Sequence, residues 1–109
     1  MSEIDVSKLR AGNFVANNGL VLRTINILRT KYNKLAATQR VLSESGVSCS
    51  EFLDAVNFLA EEQYIHLRQI VGHSAAALAD VDYKELEAKL TGKGIRLLAG
   101  DISDNLVEV

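Results

Sequence analysis

The sequence predicts a single domain of the α+β class, mainly α, in which a three-helix core leads into a small two-stranded antiparallel β hairpin. Three observations lead there. Between residues 20 and 62, apolar residues recur at three- and four-residue steps in three separate runs. Between residues 64 and 90, the period shortens to two in two further runs. Short clusters of glycine, asparagine and serine punctuate the runs, and no proline, internal repeat or low-complexity tract suggests a linker between two folding units. The expected division of the 109 residues is an amino-terminal arm over 1–18, a core over 19–99 and a tail over 100–109.

The elements follow in chain order. Asn17, Asn18 and Gly19 form a turn-like cluster in which Asn18 can cap a helix over about 20–32, whose apolar positions are Val21, Ile25, Leu28 and Tyr32. A second helix, about 35–45, carries Leu35, Thr38, Val41 and Leu42 and stops at Gly46, since glycine readily takes the left-handed conformation that ends a helix. The third begins after Ser48 or Ser50. Ser48 with Glu51 three residues on has the reciprocal pattern of a capping box, and Phe52, Val56 and Leu59 give that helix one apolar face.

Ile65, Leu67 and Val71 alternate with His66 and Arg68 as a first strand, and a loop runs from Gly72 to Asp82, within which Ala75–Leu78 could pair locally. Leu86, Ala88 and Leu90 alternate with Glu85, Glu87 and Lys89 and read as a second strand. A helix capped by Asp82 with Glu85 at its third position is the competing reading. A last short helix over about 92–99 presents Ile95, Leu97 and Leu98, and an acidic tail follows.

Composition narrows the function classes. With 48% hydrophobic and 24% charged residues the chain has the make-up of an ordinary globular domain, which excludes disordered and collagen-like classes. No run approaches the ~20 apolar residues of a membrane span, and the amino terminus lacks the apolar stretch of a signal peptide, so the expectation is a cytoplasmic protein with no membrane contact. The lone cysteine, Cys49, has no internal partner and no neighbour at metal-ligand spacing, and is expected to be a small buried apolar residue.

The net charge of −2 conceals an uneven distribution. Residues 1–42 hold seven bases against two acids (+5), residues 43–63 hold five acids and no base (−5), and the remainder sums to −2. The expectation is an electrically polarised molecule.

Helix, helix, short turn, helix, strand, loop, strand is the element order of the winged helix-turn-helix, in which the third helix and the two-stranded wing face DNA. Two stretches sharpen the likeness. LAEEQYIHLR, Leu59 to Arg68, resembles the end of the recognition helix and the first wing strand in regulators of the MarR, ArsR and PadR types, although Gln63 stands where glycine is usual. LTGKGIRLLAG, Leu90 to Gly100, resembles the step by which such domains leave the wing for a terminal helix, with Thr91 as its cap. The chain is also similar to small winged-helix proteins of Mu-like prophages. This resemblance spans about residues 20–100 and implies a DNA-binding transcriptional regulator.

On that reading Ser48, Ser50 and Asn57 would contact bases, and Arg29, Lys31, Lys34, Arg40 and Arg68 would contact phosphates, with His66 adding to the wing. The partner would be double-stranded DNA, and the chain a homodimer joined through Ile4, Val6 and Leu9 at one end and Ile102, Leu106, Val107 and Val109 at the other. The acids Glu51 and Asp54 on the third helix oppose phosphate contact. They support an alternative, a protein-interaction module that uses this helix on a basic partner without DNA. His66 and His73 lack metal-site spacing, and no phosphate-binding loop, nucleophile elbow or paired catalytic acids can be found, so neither cofactor nor enzymatic activity is expected.

Overall fold

The computed structural model describes the backbone of residues 3–109 and the side chains of residues 13–109. Its elements are α1 (Glu3–Asn26), β1 (Asn33–Lys34), α2 (Leu35–Glu44), α3 (Cys49–Glu61), β2 (Ile65–Gln69), a single 3-10 turn (Tyr83–Glu85), β3 (Leu86–Leu90) and α4 (Gly92–Ala99). The three strands form one antiparallel sheet in the order β1-β3-β2. In its register Ile65 lies opposite Leu90, Arg68 opposite Glu87 and Asn33 opposite Ala88. Period-two alternation sends Ile65, Leu67, Leu86, Ala88 and Leu90 to one side, where they join Leu22, Ile25, Leu35, Phe52, Val56 and Leu59 in a single core. Among the described residues the result is an α+β arrangement of four helices and a three-stranded antiparallel sheet.

The first helix departs most from the sequence reading. It runs from Glu3 to Asn26 instead of about 20–32, so the expected arm and the first core helix are one element. Asn18 caps nothing: it is fully buried within α1, and its Nδ2 donates to the Leu106 carbonyl at 2.9 Å. Gly19 is there for close approach, since a Cβ would stand 1.7 Å from the Glu108 carbonyl oxygen. The cluster read as a turn is the seat of the carboxy-terminal segment. Arg23 completes it by donating from Nη1 to the Glu108 carbonyl at 2.7 Å.

Past Asn26 the chain turns through Ile27 N–H to Thr24 O and Lys31 N–H to Leu28 O bonds, which releases Leu28 and Tyr32 from the helix. It then enters β1, a strand too short to leave a periodic signal. In α2 the buried residues are Leu35, Thr38 and Leu42, whereas Val41 points outward. The capping box at the start of α3 is complete: Ser48 Oγ accepts from Glu51 N–H, and the Glu51 carboxylate accepts from Ser48 N–H. Such a cap stabilises a helix by about 1 kcal/mol. Cys49, however, is exposed in the first turn of α3 and is not the buried residue the composition suggested.

The hairpin is real but its loop is structured. β2 ends at Gln69, two residues before the expected Val71, which is 86% exposed in the turn. Beyond the turn Ala75 bridges back to Arg68, the local pairing foreseen for this stretch. Asp82 caps only one 3-10 turn before β3 begins, so the strand reading holds and the helical one shrinks to three residues. Thr91 caps α4 as expected, accepting from Gly94 N–H at 3.0 Å.

Gln63, between α3 and β2, has φ 64°, a left-handed conformation that strains a residue bearing a Cβ. Gln63→Gly is therefore expected to raise stability by about 1 kcal/mol, seen as a higher urea midpoint at unchanged slope. An unchanged or lower midpoint would show that the strain is absent.

The carboxy-terminal apolar residues are largely used within the chain. Val107 is buried, and Ile102 packs against the core, while Tyr64 donates its hydroxyl to Asp104 at 2.5 Å. Burial first, then the Asp104 bond, raises the Tyr64 pKa well above its ordinary value, so it stays a donor at all physiological pH. Only Leu106 and Val109 remain exposed of the tail residues assigned to a dimer contact. Ile4, Val6 and Leu9, assigned to the same contact, lie outside the residues whose side chains are described.

Candidate functional site

Helix α3 presents two faces with opposite chemistry. Phe52, Ala55, Val56 and Leu59 are buried, while Ser50, Asp54, Asn57 and Glu61 are exposed, a stripe at steps of four, three and four that keeps to one side of the helix. Two of those four residues are carboxylates, and the whole of 43–63 offers no base to offset them. On one flank, Asn17 Nδ2 of α1 donates to Glu51 at 3.2 Å. Bonds from Ser48, backbone first and hydroxyl second, and then from Asn17 hold the Glu51 carboxyl below the ordinary range, so it is ionised at neutral pH. On the other flank the hairpin loop brings Asp80 and Asp82 beside Leu53. Further along, Asn57 and Glu61 meet His66 and residues 76–79 around a groove of about 300 Å³.

Of the residues expected to read bases, Ser50 and Asn57 are thus exposed on this acidic stripe. Ser48 is engaged elsewhere, because its hydroxyl closes the capping box and lies 3.3 Å from Ser50 Oγ.

The expected phosphate ligands divide. Arg29, Lys31, Lys34 and Arg40 are exposed around the α1–β1 turn and α2, and none is within ion-pair distance of a carboxylate among the described residues. Arg29 donates to the Asn26 side chain at 2.7 Å. Arg68 is different. Its Nε donates to Glu87 at 2.6 Å, and its guanidinium carbon lies 3.5 Å from the centre of the Tyr32 ring. An arginine that is paired across the sheet and stacked on an aromatic face is held by its neighbours, and any phosphate would have to displace Glu87. Glu87 in turn is only 8% exposed, so freeing Arg68 would leave a nearly buried carboxylate without its partner.

The basic turn and the start of the acidic helix are separated along α1. The start of α3 sits against Asn17, midway along α1, whereas the basic turn follows the end of that helix at Asn26, on the order of 15 Å further along its axis. Sequence reasoning found both charge groups but missed what lies beside the second. Ile27, Leu28 and Val41 are 76%, 53% and 54% exposed, and they share a groove with Tyr32, Lys34 and Ala37. The helical spacing of Leu28 and Val41 predicts a core position for both; their exposure follows from the early end of α1 and from the rotation of α2 that buries Leu35, Thr38 and Leu42.

Among the described residues no group of three or more histidine, cysteine, aspartate or glutamate side chains is arranged to hold a metal, and no helix is long and apolar enough to cross a membrane. Comparison with known proteins finds no matching family model, no matching curated protein and no matching solved structure.

Proposed function

We propose that this chain is a winged helix-turn-helix module that works by binding another protein, presenting its acidic third helix to a basic partner. The winged reading is supported by the element order and by the strand order β1-β3-β2, in which the β2–β3 hairpin would be the wing and β1 its edge strand. The observation that carries the function is the stripe Ser50, Asp54, Asn57 and Glu61, with Asp80 and Asp82 on the adjoining loop. A helix lying in the major groove has phosphates on both sides, one negative charge for every ~1.7 Å of duplex axis. Carboxylates in that position are repelled, whereas they attract and orient a basic surface.

A second reading, a DNA-binding regulator, is favoured by the exposed Arg29, Lys31, Lys34 and Arg40, which have no carboxylate partner among the described residues. One pair of titrations separates the two. With a labelled duplex at physiological salt, affinity is expected to be weaker than roughly 0.1 mM, the weak end of non-specific binding. With an arginine-rich helical peptide, amide shifts are expected at Asp54, Asn57 and Glu61, and the double variant Asp54→Lys with Glu61→Lys should weaken the complex about tenfold or more. Tight duplex binding that falls steeply with salt and is reduced by Arg29→Ala or Arg40→Ala would overturn the protein reading in favour of DNA. Sequence preference lost in Asn57→Ala would add that the third helix reads bases.

A further inference from the structure

The groove between the end of α1 and α2 has no part in the acidic-helix reading, and its chemistry is the reverse. Ile27 and Leu28 come from the turn after α1 and Val41 from the outward side of α2, and with Ala37 and Tyr32 they line a groove of about 350 Å³. Isolated exposed apolar residues are ordinary on a protein surface, but three large ones converging on one concavity are not. Of the six large hydrophobics exposed among the described residues, these are three.

Along the chain segment that carries them the charge is of one sign. Arg29 and Lys31 belong to the turn that carries Ile27 and Leu28, Lys34 lines the groove, and Arg40 precedes Val41 in α2. From Ile27 to Val41 the chain holds four bases and no acid. An apolar floor with a basic border specifies its occupant on both counts. The apolar side chains lose water only against apolar side chains, and the four cations gain only from carboxylates set around them.

We infer that this groove binds an acidic amphipathic helix of a partner protein, with apolar residues at i, i+3 or i+4 and i+7 seated on Ile27, Leu28 and Val41, and Asp or Glu flanking them. A nucleic acid satisfies the border but gives nothing to the floor. A second copy laid against the same groove would bring two basic borders together, a like-charge juxtaposition that opposes symmetric pairing. The inference is independent of the acidic face of α3, and together they make the domain a two-sided adaptor.

The test uses the full chain and a fluorescein-labelled synthetic helix with leucines at i, i+3, i+4 and i+7 and glutamates elsewhere. Amide shifts are expected at Thr24–Val41. Binding is expected to weaken about tenfold or more in Ile27→Ser with Val41→Ser, which removes the floor and keeps the charge, and also in Arg29→Glu with Arg40→Glu, which does the opposite. All four side chains are exposed, and an unchanged circular dichroism spectrum checks that each variant is folded. Equal binding of a scrambled peptide of the same composition would overturn the inference, because only charge would then be at work. So would a labelled duplex that displaces the peptide and binds the serine variant as tightly as the parent chain, or shifts confined to α3. Concentration-dependent dimerisation of the free chain that disappears in Val41→Ser would assign the groove to self-association and overturn it equally.

Discussion

Gly94→Ala is expected to destabilise the chain by about 3 kcal/mol, seen as a large drop in the urea midpoint at unchanged slope. The reason is backbone against backbone. A Cβ on residue 94 would lie 2.2 Å from the Tyr64 carbonyl oxygen and 3.2 Å from its carbon. Neither can swing aside, because the Tyr64 carbonyl also accepts the Thr91 N–H at 3.0 Å. The Thr91 hydroxyl donates to Gln63 O at 2.6 Å, and Lys93 Nζ donates to Glu62 O at 3.0 Å. The first turn of α4 is thereby bonded to the end of α3 and the start of β2, and an added methyl has to separate elements held by several hydrogen bonds at once. Gly92→Ala is the control. A Cβ there meets nothing within 4 Å, so replacing glycine inside the first helical turn should be neutral or slightly stabilising. Near-equal melting of the two variants would contradict the close approach of α4 to Tyr64.

That junction shows which sequence signals survive folding. Ser48 with Glu51, Thr91 with Gly94, and Gly100 at φ 83° are local devices: each acts on backbone within four residues, so each is legible in a linear reading, and α3 and α4 begin where the sequence places them. The alternation of Leu86, Ala88 and Leu90 is legible for the same reason, since the pairing that fixes it only amplifies a period already present. Asn18 and Gly19 carry equally strong local signals that mislead. An asparagine fits a cap in isolation, but here the Leu106 carbonyl, 88 residues away, is its partner, and Gly19 is defined by the approach of Glu108. Long-range partners of this kind leave no trace at fixed spacing. The candidate surfaces divide likewise. The acids of α3 were countable from the sequence, but their alignment at Ser50, Asp54, Asn57 and Glu61 depended on the helix register. The pairing of Arg68 depends on a neighbour across the sheet and on Tyr32, neither of which a charge count contains.

Phe52→Ala should have the other large effect, a loss of roughly 3–5 kcal/mol. Phe52 is fully buried in the first half of α3, with the Tyr83 ring edge-on at 6.4 Å between centroids. Truncation removes the transfer energy of an aromatic side chain and leaves a void bordered by helices and by the turn before β3, elements that cannot all close on it together. A domain of this size has about 5–15 kcal/mol in hand, so a substantial unfolded fraction is expected on mild heating. Phe52→Leu, which leaves a smaller void, should cost well under half as much. The consequence reaches the surface, since Phe52, Val56 and Leu59 fix the rotation of α3 about its axis and with it the outward aim of Asp54, Asn57 and Glu61. Near the midpoint of unfolding, Phe52→Ala should lose binding of a basic peptide in proportion to its unfolded fraction. In the folded fraction the affinity should equal that of the parent chain, unlike Asp54→Lys with Glu61→Lys, which should weaken binding while remaining fully folded. A cost below about 1.5 kcal/mol for Phe52→Ala would mean that α3 is not seated on this core, and the acidic stripe would then have no fixed direction from which to act.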